Sequence, residues 1–162
     1  GNNSTYPKNH PVDVYSLTNV ISISAGTYHT CALISDGTIK CWGQGLRGEM
    51  GNGAYDITNK IPVQVSDITT ATKISMGYYT SCALLSDGAA RCWGYNLRGP
   101  LGDGTETKRN IPIEPQGIDG ITNVAIDIDT GVLDTCVVLN DNSVKCWGAN
   151  SNGQIGIGTV TQ

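Results

Sequence analysis

The chain contains no phenylalanine, only two histidines, and no run of about 18 apolar residues. The last absence excludes a helical membrane span. Charge is scarce as well: 15% of residues are charged, with a formal balance of -4 and a pI near 4.9. That balance argues against a basic face gripping phosphates, so no nucleic-acid partner is expected. No signal peptide and no initiator methionine opens the sequence, which begins Gly1-Asn2-Asn3-Ser4-Thr5. The expectation is a processed chain or an excised part of a longer one. No GxGxxG opens a helix, and the span from Asp103 to Glu114 fails as a calcium loop because Lys108 stands where glycine is needed. The sequence therefore implies no cofactor and no metal.

What the 162 residues do contain is a repeat. Cys31, Cys82 and Cys136 recur at spacings of 51 and 54, and so do Cys41, Cys92 and Cys146. Each second cysteine is followed by Trp-Gly, at Trp42, Trp93 and Trp147. Gly26, Gly77 and Gly131 precede the first cysteine of each pair, and a glycine ladder follows each Trp-Gly: Gly48, Gly51, Gly53; Gly99, Gly102, Gly104; Gly153, Gly156, Gly158. So many matched positions mean duplication. The units read as 1–53, 54–104 and 105–162.

Inside a unit the pattern is β, because helical periodicity is absent and glycine and β-branched residues punctuate every run. Ile61-Pro62-Val63-Gln64-Val65 alternates and carries a proline, which suits an edge strand. Its counterparts are His10-Pro11-Val12-Asp13-Val14 and Ile111-Pro112-Ile113-Glu114-Pro115. A second strand reads Ile126-Asp127-Ile128-Asp129, with isoleucine expected on one face and aspartate on the other. A hairpin then runs from Cys31 to Trp42.

The hairpin turn decides what the cysteines do. It reads Ser35-Asp36-Gly37, Ser86-Asp87-Gly88 and Asn140-Asp141-Asn142. A two-residue Asp-Gly loop would put Cys31 and Cys41 on opposite faces. A three-residue loop ending in a left-handed residue puts Cys31 opposite Cys41, beside Leu33 and Ile39, and sends Lys40, Arg91 and Lys145 to the other face. Gly37, Gly88 and Asn142 tolerate the left-handed position. The second register therefore predicts three local bridges, Cys31–Cys41, Cys82–Cys92 and Cys136–Cys146, out of 15 possible connectivities. Six free buried thiols would leave the register unexplained, and Cys-x9-Cys is wide for zinc, with no histidine recurring beside the pairs.

Gly26-Thr27-Tyr28-His29-Thr30-Cys31-Ala32-Leu33, Asp36-Gly37, Cys41-Trp42-Gly43 and Gly48-x-x-Gly51 together resemble the repeat of the regulator of chromosome condensation family. The resemblance covers nearly the whole chain. Its cysteine pairs are similar to those of secreted bacterial and environmental members. It implies an all-β fold of three β-propeller-like blades of about four strands each, in a family that usually closes seven. Three blades imply an incomplete propeller or an open repeat array. The third unit has drifted, with Asp134 in the place of His29 and Asn142 in that of Gly37. Family functions range over nucleotide exchange, chromatin binding and enzyme inhibition, and none of their functional residues maps onto this sequence.

The remaining candidates read as structural. His29, replaced by Thr80 and Asp134 in the other units, has a polar role at a strand start. Trp42, Trp93 and Trp147 pack beside the hairpin cysteines rather than forming a sugar-binding stripe. Both chain ends fall in the same inter-unit loop, and neither carries a cap for its exposed unit. The leading expectation is a secreted, non-enzymatic structural or interaction protein, extracellular or at the cell surface. Its partners would be other copies of itself or further repeat units, joined head to tail into a filament or ring, with His10, Pro11, Val12, Asp13 and Val14 as the inter-subunit strand. The alternatives are a segment of a larger propeller that binds another protein as an inhibitor or adhesin, and an enzyme on a propeller scaffold.

Overall fold

A computed structural model describes residues 1–160, and among them all regular structure is β. Three antiparallel sheets follow one another along the chain. The first holds β1 (Val20–Ala25), β2 (His29–Ile34), β3 (Ile39–Gln44) and β4 (Thr58–Gln64). The second holds β5 (Ala71–Met76), β6 (Thr80–Leu85), β7 (Ala90–Gly94) and β8 (Arg109–Ile113). The third has only three strands, β9 (Ala125–Thr130), β10 (Asp134–Leu139) and β11 (Val144–Gly148). Neighbouring sheets touch through their first two strands, so β1, β5 and β9 lie innermost. The sheets are propeller blades in an open array.

Sequence period and sheet are out of phase by one strand. β4 closes the first sheet but stands in the second sequence unit, and β8 closes the second sheet from within the third unit. The corresponding residues of the first unit, His10–Val14, pair with no strand of this chain; among the described residues, β11 has nothing on its outer edge. The third blade is thus one strand short of the four expected among the described residues, because in the first two blades the closing strand comes from the following unit.

Each hairpin adopts the three-residue loop. Ile34 N donates to Thr38 O (2.9 Å), Gly37 N donates to Ile34 O (2.9 Å), and the left-handed position holds Gly37, Gly88 and Asn142 with φ of 81°, 84° and 66°. The aspartate before that position fixes the turn by accepting from the backbone: Asp36 from Thr38, Asp87 from Ala89, Asp141 from Ser143. Cys31 faces Cys41, Cys82 faces Cys92 and Cys136 faces Cys146, and each pair is bonded. The expected alternation on the innermost strands fails at one point. The ladder skips a residue in every blade, at Ile21, Thr72 and Ile126, so Ile126 is exposed while Ile128 is buried. A bulge that flips one side chain to the other face accounts for it.

The cores lie between blades. Cys31, Leu33, Ile39 and Cys41 of the first blade pack with Met50, Val65 and Ile68 against Ile74, Ala83 and Trp93 of the second. The same positions one unit on, Cys82, Leu84, Ala90 and Cys92 with Leu101 and Ile118, pack against Ile128, Val137 and Trp147. Near the axis the blades meet backbone to backbone: a Cβ on Gly77 would stand 2.2 Å from Gly131 O, so only glycine fits there. Each bridge closes a short loop with a sequence separation of 10. Replacing Cys82 and Cys92 together by serine is expected to lower stability by roughly 2–3 kcal/mol, read as a lower urea midpoint at unchanged slope.

Candidate protein-interaction surfaces

The tryptophans do more than pack beside the cysteines. Trp93 Nε1 donates to Glu49 O (2.8 Å) in the loop of the preceding unit, and Ser81 Oγ donates to the same carbonyl (3.1 Å). One junction further on, Trp147 Nε1 and Thr135 Oγ1 both donate to Pro100 O at 2.9 Å. Beside each indole lies a glycine with φ above zero. A Cβ on Gly51 would stand 2.8 Å from Trp93 Nε1, and one on Gly102 2.7 Å from Trp147 Nε1. The ladder glycines are therefore seats for the next unit's tryptophan.

The N-terminal segment reproduces this arrangement on the free side of the first blade. Gly1 lies against Trp42 and Val14 as Gly51 lies against Trp93 and Val65. Tyr15 N donates to Gly1 O (2.7 Å) as Ser66 N does to Gly51 O (2.9 Å) and Gln116 N to Gly102 O (2.8 Å). Asn3 N donates to Lys60 O (3.0 Å) as Gly53 N does to Asn110 O (2.8 Å). Val14 and Leu17 thereby cover Trp42, Ala32 and Ile34. Val20 and Ile23, whose counterparts Ala71 and Ile74 are buried against the preceding blade, stay exposed. At the other end nothing among the described residues plays this part. Val144, counterpart of the fully buried Ile39, is 61% exposed; Ile157 is also exposed, Ile155 and Val138 are half-buried, and nothing lies within 4 Å of a Cβ on Gly156.

A second surface lies on the loops that follow the first and third strands of the blades. Tyr28 stacks on Tyr79 (centroids 5.2 Å apart), Tyr78 meets both rings edge-on, and Tyr95 meets Tyr79. The Arg47 guanidinium lies 3.9 Å from the Tyr79 centroid and 5.5 Å from that of Tyr95. Lys108 Nζ lies 4.4 Å from the Tyr55 ring. Tyr28 is exposed, Tyr78, Tyr95 and Arg47 are half-buried and Tyr79 is buried, and tyrosine with arginine in one cluster is the composition of an interface hot spot. Nothing in the sequence reading brought these side chains together, because they come from four separate loops.

Beneath this cluster lies a buried polar group unique to the first junction. His29 Nε2 and Ser81 Oγ are 2.8 Å apart, and burial pulls the imidazole from its ordinary 6.5 down to about 4. Glu49 is fully buried, its Oε2 accepts from Arg47 N (2.7 Å), and burial pushes its carboxyl up. In the other units the position of Glu49 is held by Pro100 and Gln154. The Ser81 hydroxyl beside His29 is fully buried and already donates to Glu49 O, so the pair ties the first blade to the second. On the innermost strands Ser75 Oγ, Asp129 and Thr130 form a small network, and Lys73 pairs with Asp127. Among the described residues no group of three or more histidine, cysteine or acidic side chains could hold a metal ion.

An array of propeller blades that offers loops, seats and sheet edges is a repeat scaffold of the protein-interaction type. The chain belongs to the regulator of chromosome condensation (RCC1) repeat family: the family's repeat pattern matches residues 20–49, 71–99 and 126–154, and a second pattern of the family matches 36–84. The chain is similar to the human E3 ubiquitin-protein ligase HERC2, with 33% identity over 86% of this chain and 3% of that protein. It is similar to the ultraviolet-B receptor UVR8 of Arabidopsis thaliana, with 28% identity over 84% of this chain and 31% of the receptor. Among solved structures, yeast RCC1 (Prp20) with Kap60 bound shares the fold at a TM-score of 0.77 and 18% identity, over 89% of this chain and 35% of that one. The chain thus spans about a third of the receptor and of the solved propeller, and a far smaller part of the ligase.

Proposed function

We propose that this chain is a non-enzymatic interaction module that associates head to tail with other copies of itself, the end of the third blade receiving the start of the first. One observation carries the reading. The free face of the third blade and the free face of the first carry the two halves of a junction made twice already inside the chain. A face with Val144 and Ile157 exposed is an uncovered core face rather than an ordinary surface. Three disulfides favour an extracellular or cell-surface setting. Such contacts are heterologous, so they close into a ring or extend into a filament.

Sedimentation velocity across a concentration series is expected to give species above 17.1 kDa that grow with concentration. Val144→Asp, which places a charge on the free face without touching an internal junction, is expected to return the protein to monomer. A wild-type chain that stays monomeric at hundreds of micromolar sinks the reading. The Tyr28–Arg47 cluster favours a second reading, in which these blades belong to a longer propeller whose loops grip another protein as an inhibitor or adhesin. An intact mass of the natural protein several units above 17.1 kDa would favour it.

A further inference from the structure

The two completed sheets fix the geometry of the missing strand. In the first, Cys41 stands opposite Val63 and Lys40 opposite Gln64. In the second, Cys92 stands opposite Ile113, and one step along Arg91 Nη1 binds Glu114 Oε2 at 2.7 Å. In the third, Cys146 and Lys145 of β11 have no outer neighbour among the described residues, and Lys145 is exposed. The segment of this sequence in the same repeat position is His10-Pro11-Val12-Asp13-Val14, whose Pro11 matches Pro62 and Pro112.

We infer that His10–Val14 of a second copy adds to the β11 edge as its fourth strand, with Val12 opposite Cys146 and Asp13 opposite Lys145. This rests on the head-to-tail reading and gives it a register. Three features select a second copy as the occupant. The charges are complementary: Asp13 faces Lys145 as Glu114 faces Arg91. The proline sits at the position that both completed sheets accept on their outer strand, where no ladder donor is required. Val14 and Leu17, which follow the segment, already occupy on Trp42 the places that Val65 and Ile68 occupy beside Trp93. A strand entering at this register therefore brings its own blade onto the free face. Gly156 and Gly1 share one repeat position, so the junction seats one of them on Trp42 and displaces the other.

Two experiments test the register. Asp13→Lys and Lys145→Asp, each alone, place like charges opposite one another and are expected to weaken self-association about fivefold. An equimolar mixture of the two single variants, or the double variant, restores opposite charges and is expected to return association to within about twofold of wild type. Separately, Asp13→Cys with Lys145→Cys is expected to give a ladder of covalent multimers on non-reducing gels, while Asp13→Cys with the out-of-register Ser143→Cys gives much less. Association without rescue in the mixture, or equal cross-linking at 145 and 143, overturns the register and leaves the head-to-tail reading standing. A wild-type chain that never associates overturns both.

Discussion

Replacing Trp93 by alanine is expected to cost about 4 kcal/mol, a large part of the stability of a domain this size. The side chain is fully buried in the core between the first and second blades. Its removal forfeits the transfer energy of the indole and leaves a cavity whose walls are pinned: Gly51 by its position in the ladder, and Glu49 O by its remaining bond from Ser81. The repeat supplies an internal control. Trp42 occupies the same position in the first unit but packs only on the small cluster with Val14 and Leu17. Trp42→Ala is expected to cost about 2 kcal/mol less, and Trp93→Phe, which keeps most of the volume and loses the bond to Glu49 O, about 1–2 kcal/mol in total. Equal losses at positions 42 and 93 in urea denaturation would contradict a core that lies between blades.

Acidification from pH 7.5 to 4.5 is expected to remove about 2.5 kcal/mol of stability through His29 alone. The imidazole titrates near 6.5 when the chain is unfolded and near 4 when buried against Ser81. Between those values the unfolded chain holds a proton that the folded chain does not, so protons pull toward unfolding. The contribution is fully present above pH 6.5 and is lost as pH falls toward 4. Glu49 works in the opposite sense: its carboxyl is raised by burial, so above its ordinary value the folded chain keeps a proton longer than the unfolded one. The carboxylates lowered by their hairpin-turn bonds, Asp36 and Asp141, by bonds from the backbone of Ile121 and Thr122 in the case of Asp119, and by hydrogen bonds from Thr105 and Arg109 in the case of Asp103, lose their contribution only below the ordinary carboxylate range. Wild type minus His29→Gln isolates the histidine. A difference that stays flat from pH 7.5 to 4.5 would show that His29 does not titrate as a buried neutral ring.

Much of the blade was legible because its constraints are local. The turn residues and the alternation of Lys40, Arg91 and Lys145 against Leu33, Leu84 and Val138 select one hairpin register, and that register brings the cysteines together. What depends on neighbours left no mark in the sequence. The bulges fall on Ile21, Thr72 and Ile126, β-branched residues that any strand would carry, so the sequence pattern does not mark them. The tryptophan N–H groups bond to backbone carbonyls of Glu49 and Pro100, and a carbonyl leaves no mark in a sequence. The Arg47 cluster draws on Tyr79 and Tyr95 across a junction, so no spacing announces it. The sequence marks His29 as a polar group at a strand start, but its partner Ser81 stands 52 residues away and no spacing links the two.

The one-strand offset between repeat and sheet bears on how such proteins change length. Because the last strand of each blade is carried by the following repeat, duplicating or deleting a whole repeat keeps the same repeat positions facing one another at every remaining junction. It always leaves a sheet lacking a strand at one end and a strand lacking a sheet at the other. A gene that slips by one unit therefore makes a product with the same repeat positions at its two faces, and growth by recombination draws on the surfaces that the proposed association between chains would use.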